Sequence, residues 1–351
     1  MIKSSYNVLG IMSGTSLDGV DIAHISFTFN KKWQYTFLEC DTIPYPNSWF
    51  LKLKNLVGLS NDNLEKIDQD YTEYLASVIN AFIQKHQITD LDFISSHGHT
   101  ALHEPEKGVT LQIGNRKILA YLTQQTVVCD FRVQDVQLGG QGAPLVPIGD
   151  KLLFSDFDYC LNLGGFANIS TEDNGQRIAF DICPANIVLN HYVASLGLEY
   201  DDSGNIAAKG KVNVALLNEL NSLEFYKKTY PKSLGLEWVD KFIFPCIDAF
   251  EIQIKDILRT FVVHIAIQIG HQIKNGRTLI TGGGAYNSFL IEEIKAHTNT
   301  EIVIPNAKLI NFKEALIFSL LGVLKQRNEV NCLASVTGAK MDHSSGKTFQ
   351  P

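Results

Sequence analysis

The chain has 351 residues, 45% hydrophobic and 19% charged, which excludes a disordered or collagen-like polypeptide and suits about two globular domains. Thirty basic side chains against 37 acidic ones leave a net charge of −7, which argues against a nucleic-acid coat, because phosphate binding leaves a basic footprint. The six cysteines (Cys40, Cys129, Cys160, Cys183, Cys246 and Cys332) form no CxxC pair, so neither a zinc ribbon nor a thioredoxin-type motif is supported.

The first residues, MIKSSYNVLGIMSG, carry one lysine and a short apolar run but no signal-like core. No later stretch approaches the roughly 18 apolar residues of a membrane span. The expected location is cytoplasmic. Residues 6–12 read as an apolar strand that runs into SGTSLDG and then into a second strand over 20–27. The helical period returns at 61–87, where Leu64, Ile67, Tyr71, Leu75, Val78 and Phe82 recur at steps of three and four. Strand signals at 92–95 and 126–129 precede the Gly/Pro-rich stretch 138–147, the best linker candidate.

Near mid-chain the opening pattern recurs: strand 159–163, a Gly164-Gly165 turn, strand 166–170. Two hairpins of one kind suggest two related halves. Further strands at 177–180 and 278–281 alternate with helices at 250–274, 287–297 and 312–326. The fold class is α/β, with hairpins that a purely parallel doubly wound sheet would lack.

Three Gly-rich turns, 13–19, Gly164-Gly165 and 282–284, each follow a predicted strand and offer main-chain amides to an anion. Asp18 lies in the first of them, where a carboxylate suits a hydrated Mg²⁺ beside nucleotide phosphates. An Asp in a turn also commonly satisfies its own backbone. No GxGxxG follows a strand, so a dinucleotide fingerprint is missing. The tail SSGKT imitates a Walker A ending, but Met341 stands where the first glycine belongs.

The motifs now identify a family resemblance. GIMSGTSLDGVDIA (10–23), SSHGHTALHEP (95–105), CDFRVQDVQLGGQGAPLVP (129–147) and LNLGGFANIS (161–170) come first. FDICPAN (180–186), YDDSGNIAAKG (200–210), PKSLGLEW (231–238), TGGGAYN (281–287) and KEALIFSLLG (313–322) follow in order. Together they resemble the anhydro-N-acetylmuramic acid kinases, of the actin, sugar kinase and heat-shock chaperone superfamily. The resemblance implies two actin-like ATPase domains around a central cleft, each a mixed five-stranded sheet with flanking helices. The expected domains span about 1–140 and 141–351, the last helix packing back on the first. It also implies a homodimer and a reaction in which the 1,6-anhydro ring is cleaved and O6 is phosphorylated from ATP with Mg²⁺, giving MurNAc-6-phosphate.

Carried over by motif, Asp181 is the catalytic base that activates water, a role that burial among apolar neighbours favours by raising its pKa. Met12, Ser13, Gly14, Thr15, Ser16, Leu17, Asp18 and Gly19 are expected to bind ATP together with Gly164, Gly165, Gly282, Gly283 and Gly284. Asp18 is the expected metal residue. His97, Arg132, Asp135 and Glu314 are the expected substrate-binding residues, with Arg132 suited to a carboxylate and Asp135 to ordering hydroxyls or the arginine itself. The chain departs from the family pattern at Ile182, Cys183 and Ala185, at His99 where Gln is usual, and at Leu236 in place of a customary arginine. Three other readings remain at this stage: a related sugar kinase with an altered substrate, a non-catalytic ATP-binding switch, and an HxH metal hydrolase built on His97, His99 and His103.

Overall fold

The computed structural model describes residues 3–14 and 16–351, so Thr15, among the expected ATP-binding residues, lies outside the described residues. The chain forms two compact units, one of Met1–Leu153 with Phe312–Pro351 and one of Phe154–Asn311. The division expected between residues 140 and 141 falls ahead of the helix Val146–Leu153 that ends the first segment.

Unit one supplies β1 (Ser5–Ser13), β2 (Gly19–Asn30), β3 (Lys32–Pro44), β4 (Phe93–Glu104), β5 (Val109–Ile113) and β6 (Val127–Cys129). Unit two supplies β7 (Tyr159–Leu163), β8 (Phe166–Asp173), β9 (Gln176–Pro184), β10 (Arg277–Thr281) and β11 (Glu301–Val303), and the tail adds β12 (Lys347–Phe349) to unit one. In unit one β1, β2 and β3 form an antiparallel meander, while β4 and β6 extend the other side of β1 in parallel. In unit two β7, β8 and β9 make the same meander, and β10 and β11 extend β7 in parallel. The two halves share one topology, as the paired hairpins suggest.

Unit two matches the implied five-stranded sheet. Unit one has seven strands, because β5 pairs antiparallel with β4 and β12 closes the β6 edge. The tail GKT therefore belongs to an edge strand, with Lys347 Nζ 2.6 Å from Asp130 Oδ2. That ion pair takes the lysine a Walker motif would give to phosphate.

Each sheet buries one apolar set against helices. The helix Asn61–Lys85 is capped by Ser60, which accepts from the Asn63 N–H, and turns Leu64, Tyr71, Leu75, Val78 and Phe82 inward. In unit two the helix Ile254–Gln272 buries Leu258, Phe261, Val262, Ile265, Ala266 and Ile269 with Leu161, Leu163 and Ile280. The helix Ala307–Gln326 bends at Phe312 (φ −113°, ψ 16°), where the chain re-enters unit one. Beyond the bend it lies so close to β1 that a Cβ at Gly10 would sit 2.1 Å from Ser319 Oγ and 2.5 Å from the Ala315 carbonyl oxygen. Only glycine lets these backbones approach. No described helix is long and apolar enough to cross a membrane.

Candidate active site

In unit one the β1–β2 hairpin carries the first glycine turn. Met12 and Ser13 end the buried strand, Ser16 and Asp18 are exposed, and Leu17 takes a left-handed conformation (φ 60°). Backbone strain of that kind in a non-glycine residue marks a turn held by its surroundings. A hydrogen-bonded cluster lies below the strand end. Ser13 Oγ lies 2.5 Å from Tyr45 Oη and 2.8 Å from His99 Nδ1, and Tyr45 Oη lies 2.6 Å from Tyr71 Oη. Burial holds His99 down to about 4, so at neutral pH it is an uncharged hydrogen-bonding partner of Ser13. Gly19 passes against β3 where a Cβ would stand 2.4 Å from the Ile43 carbonyl oxygen.

The expected sugar-binding residues of unit one fall into two kinds. Arg132 begins the short helix Val133–Gln137 and donates from Nε to His97 Nε2 (2.9 Å) and from Nη1 to the Gly142 carbonyl (2.6 Å). His97 is buried; its Nδ1 faces the Gly98 carbonyl, so Nδ1 carries the proton and Nε2 accepts. Burial first, then the Arg132 charge, holds His97 well below the ordinary imidazole value. It orients the arginine. Asp135 is wholly buried, one oxygen accepting from Thr337 Oγ1 and the other from the Gly142 N–H, both at 2.7 Å. Gly142 links it to Arg132, donating its N–H to Asp135 and accepting from Arg132 Nη1 at its carbonyl. Glu314 is exposed, yet the protein crowding around it raises its carboxyl, opposed by Arg132 and Lys313.

In unit two Asp181 lies on β9 opposite Asn168, beside a register shift in β8–β9. Its main-chain N–H donates to the Lys232 carbonyl and its Oδ2 accepts from the Leu234 N–H at 2.8 Å. The PKSLG segment thus grips the residue from both its backbone and its side chain. Burial raises the Asp181 carboxyl above the ordinary aspartate value, while the Leu234 bond and the Lys232 charge hold it back. Ile182, Cys183 and Ala185, three departures from the family pattern, are core residues exposed by 1% or less. Leu236, another departure, is 49% exposed.

The other two glycine turns of unit two come together. Gly282 (φ 83°) passes so close to the end of β7 that a Cβ would lie 2.8 Å from the Leu163 carbonyl carbon, and one on Gly284 would lie 2.7 Å from Leu163 Cβ. The Gly164 and Gly165 carbonyls accept from the Ala185, Asn186 and Ile187 N–H groups at the start of the helix Asn186–Ala194. These bonds occupy the N–H groups at the start of that helix, which leaves the amides of the glycine turns themselves as the candidate phosphate donors. The histidines of the HxH reading have separate partners: Arg132 for His97, Ser13 for His99, and Thr110 for His103.

Sequence reading gave no site role to Asp21 and Lys232, although both lie inside the motifs 10–23 and 231–238, or to the Tyr45–Tyr71 pair. Asp21 is half-buried on β2 across from Met12 and accepts from Thr42 Oγ1 at 2.5 Å. Burial, with the charges of Asp18 and Glu314 adding, pushes it up to about 6. A carboxyl raised on folding stabilises least where it is ionised: stability falls as pH rises from about 4 to about 6 and then levels. Asp21→Asn, which keeps an acceptor for Thr42, should therefore be more stable than the parent by about 2–3 kcal/mol above pH 7, with the difference vanishing below pH 4. Melting temperatures of the two proteins across pH 4–8 test this; a pH-independent difference would refute it.

The sequence matches a family of known proteins. The sequence model of the family described as anhydro-N-acetylmuramic acid kinase matches residues 6–351. An anhydro-N-acetylmuramic acid kinase of Mannheimia succiniciproducens is 34% identical over 99% of this chain and 100% of its own. One from Francisella tularensis subsp. novicida is 33% identical over 95% of both chains, and one from Bacillus cereus is 31% identical over 98% and 99%. Among solved structures, a xylulose kinase from Lactobacillus acidophilus aligns with 98% of this chain and 94% of its own at a TM-score of 0.46 and 11% identity. With the family model spanning nearly the whole sequence and relatives matching end to end, the chain belongs to the anhydro-N-acetylmuramic acid kinase family.

Proposed function

We propose that the chain is an ATP-dependent kinase that opens the 1,6-anhydro ring of 1,6-anhydro-N-acetylmuramic acid and phosphorylates O6, giving MurNAc-6-phosphate for the recycling of cell-wall fragments. The observation that carries this reading is Asp181: a half-buried carboxyl with a raised pKa, Oδ2 fixed by a main-chain N–H, and Oδ1 unengaged among the described residues. It takes a proton from water as the water oxygen bonds to C1. The C1–O6 bond breaks, and O6 receives the γ-phosphoryl group, leaving ADP. Phosphoryl transfer asks the protein mainly for positioning and charge neutralisation. The hairpin 12–19 and the glycine turns of unit two supply amides, and Arg132, oriented by His97, suits the lactyl carboxylate.

Mg²⁺ fits Asp18. That carboxylate is exposed in the turn, and Asp18 and Glu314 put negative charge near Asp21, whose carboxyl is raised mainly by burial. A Mg²⁺ held by Asp18 would neutralise phosphate charge. The departures at Ile182, Cys183 and Ala185 are absorbed by the core, which supports the unaltered sugar over a changed one. We place the protein in the cytoplasm as a homodimer, as the family resemblance implies.

The test is Mg²⁺-dependent ADP release with the anhydro sugar against MurNAc, GlcNAc and no sugar, run in ¹⁸O-water. Release only with the anhydro sugar, and one ¹⁸O in the sugar phosphate, is expected. Release that ignores the sugar would overturn the kinase reading in favour of a switch, and preference for another sugar would overturn the substrate.

A further inference from the structure

The tail of the chain brings two chemistry-bearing side chains that the reaction does not use, Cys332 and His343, against Asp135. Cys332 and His343 face each other as an isolated antiparallel bridge, their main chains exchanging hydrogen bonds at 3.1 and 3.2 Å. Their side chains point to Asp135 on the helix Val133–Gln137. One ligand atom from each of the three lies within 4.8 Å of the others, and all three residues are buried.

The hydrogen bonding within this cluster is incomplete in a specific way. His343 Nδ1 is 3.1 Å from the Met341 carbonyl, which only accepts, so Nδ1 carries a proton. The other ring nitrogen, Nε2, is buried, has no hydrogen-bond partner among the described residues, and stands 3.6 Å from Asp135 Oδ1. That oxygen already accepts from Thr337. Two lone-pair atoms therefore face each other in a dry interior, where an unpaired polar atom is costly. Something positive belongs between them, either a second proton on His343 or a cation.

The arrangement is that of a metal ligand set. A ligating imidazole is typically held by a carbonyl on its far nitrogen, as His343 is by Met341. Zinc bonds of about 2.0 Å to nitrogen and oxygen and 2.3 Å to sulfur place tetrahedral neighbours about 3.3–3.7 Å apart, and Nε2 and Oδ1 already have that spacing. One nitrogen, one sulfur and one oxygen make a donor set of borderline softness, which suits Zn²⁺ over Mg²⁺ or Ca²⁺. We propose that Asp135, Cys332 and His343 supply three of the four ligands of a Zn²⁺ site that ties the C-terminal segment to the short helix that Arg132 begins. Zinc uptake would displace the Cys332 thiol proton, which otherwise stays on because burial, with Asp135 adding, pushes that thiol up to about 12.

The experiment uses the full-length protein with any affinity tag removed, expressed in zinc-supplemented medium and gel-filtered. Elemental analysis should find about one zinc per chain, falling to background in Cys332→Ser and in His343→Gln. Replacement by Co²⁺ should give a thiolate-to-cobalt charge-transfer band in the near ultraviolet that Cys332→Ser lacks. A strong chelator should lower the melting temperature of the parent. If the variants fail to fold, the cobalt band of the parent alone decides. Protein without metal, no cobalt band and no melting shift on adding ZnCl₂ would overturn the proposal and leave a proton on His343. So would zinc that both variants retain, which is an adventitious ion only.

Discussion

Asp181→Asn should lower turnover of the anhydro sugar by about 10³-fold or more while leaving nucleotide binding unchanged. General base catalysis alone supplies about 10²–10⁴-fold, and the amide cannot take a proton from water. The substitution preserves shape and an oxygen for the Leu234 N–H, so the β9 geometry should survive. The acid limb of kcat/KM adds a signature that a structural lesion would not give. Since burial raises the Asp181 carboxyl, that limb should lie above pH 4, the value for an ordinary aspartate. Lys232 opposes the rise, so Lys232→Met should move the limb to higher pH, and Lys232→Arg should restore it. A limb that stays put in Lys232→Met would separate the PKSLG lysine from the base. Full activity in Asp181→Asn, read by product formation in single turnover, would remove Asp181 from the chemistry.

Lys232 shows where sequence reading ends. FDICPAN points to Asp181 because a carboxylate after a strand run carries a local signature. The segment that holds it lies some fifty residues downstream, and the hydrogen bonds from Asp181 N and to Asp181 Oδ2 are long-range facts. The same limit governs strands. β1, β2, β7 and β8 are legible because apolar runs meet glycine turns. β3 alternates exposed and half-buried positions with Lys, Gln, Glu and Asp, so its strand character comes from pairing along the whole of β2. β12 has three residues, two of them exposed, and is held by β6 rather than by any pattern. His97 and Asp135 are carried over by motif, but only their hydrogen bonds show that His97 meets the arginine directly and Asp135 through Gly142. The duplicated hairpin read from Gly14, Gly19 and Gly164-Gly165 did extend to the shared topology of both sheets, because the meander and parallel extension follow from the same hydrophobic runs.

The largest stability effect is expected at Lys313. Its Nζ lies 2.8 Å from Asp150 Oδ1, with the two side chains 7% and 3% exposed. Oδ1 accepts no directed hydrogen bond among the described residues, so attraction to Lys313 is what compensates its burial. Removing one partner of such a pair leaves a buried charge unopposed, which costs about 3–5 kcal/mol. Lys313→Met, close in volume and uncharged, should lose that much in urea unfolding, and Asp150→Val should also lose stability. The double variant should regain most of it, since an apolar pair of roughly similar volume replaces a buried ion pair at little or no cost. A fully additive double variant would show that the charges act independently. The position gives the pair a consequence beyond stability. Asp150 is on the helix that ends as the chain leaves unit one, and Lys313 follows the bend at Phe312 where the chain returns. The ion pair therefore fastens exit to re-entry and holds Glu314, one residue on, at its place on the helix. Lys313→Met should accordingly raise the KM for sugar, whereas the double variant, with the two segments rejoined by apolar contact, should recover it.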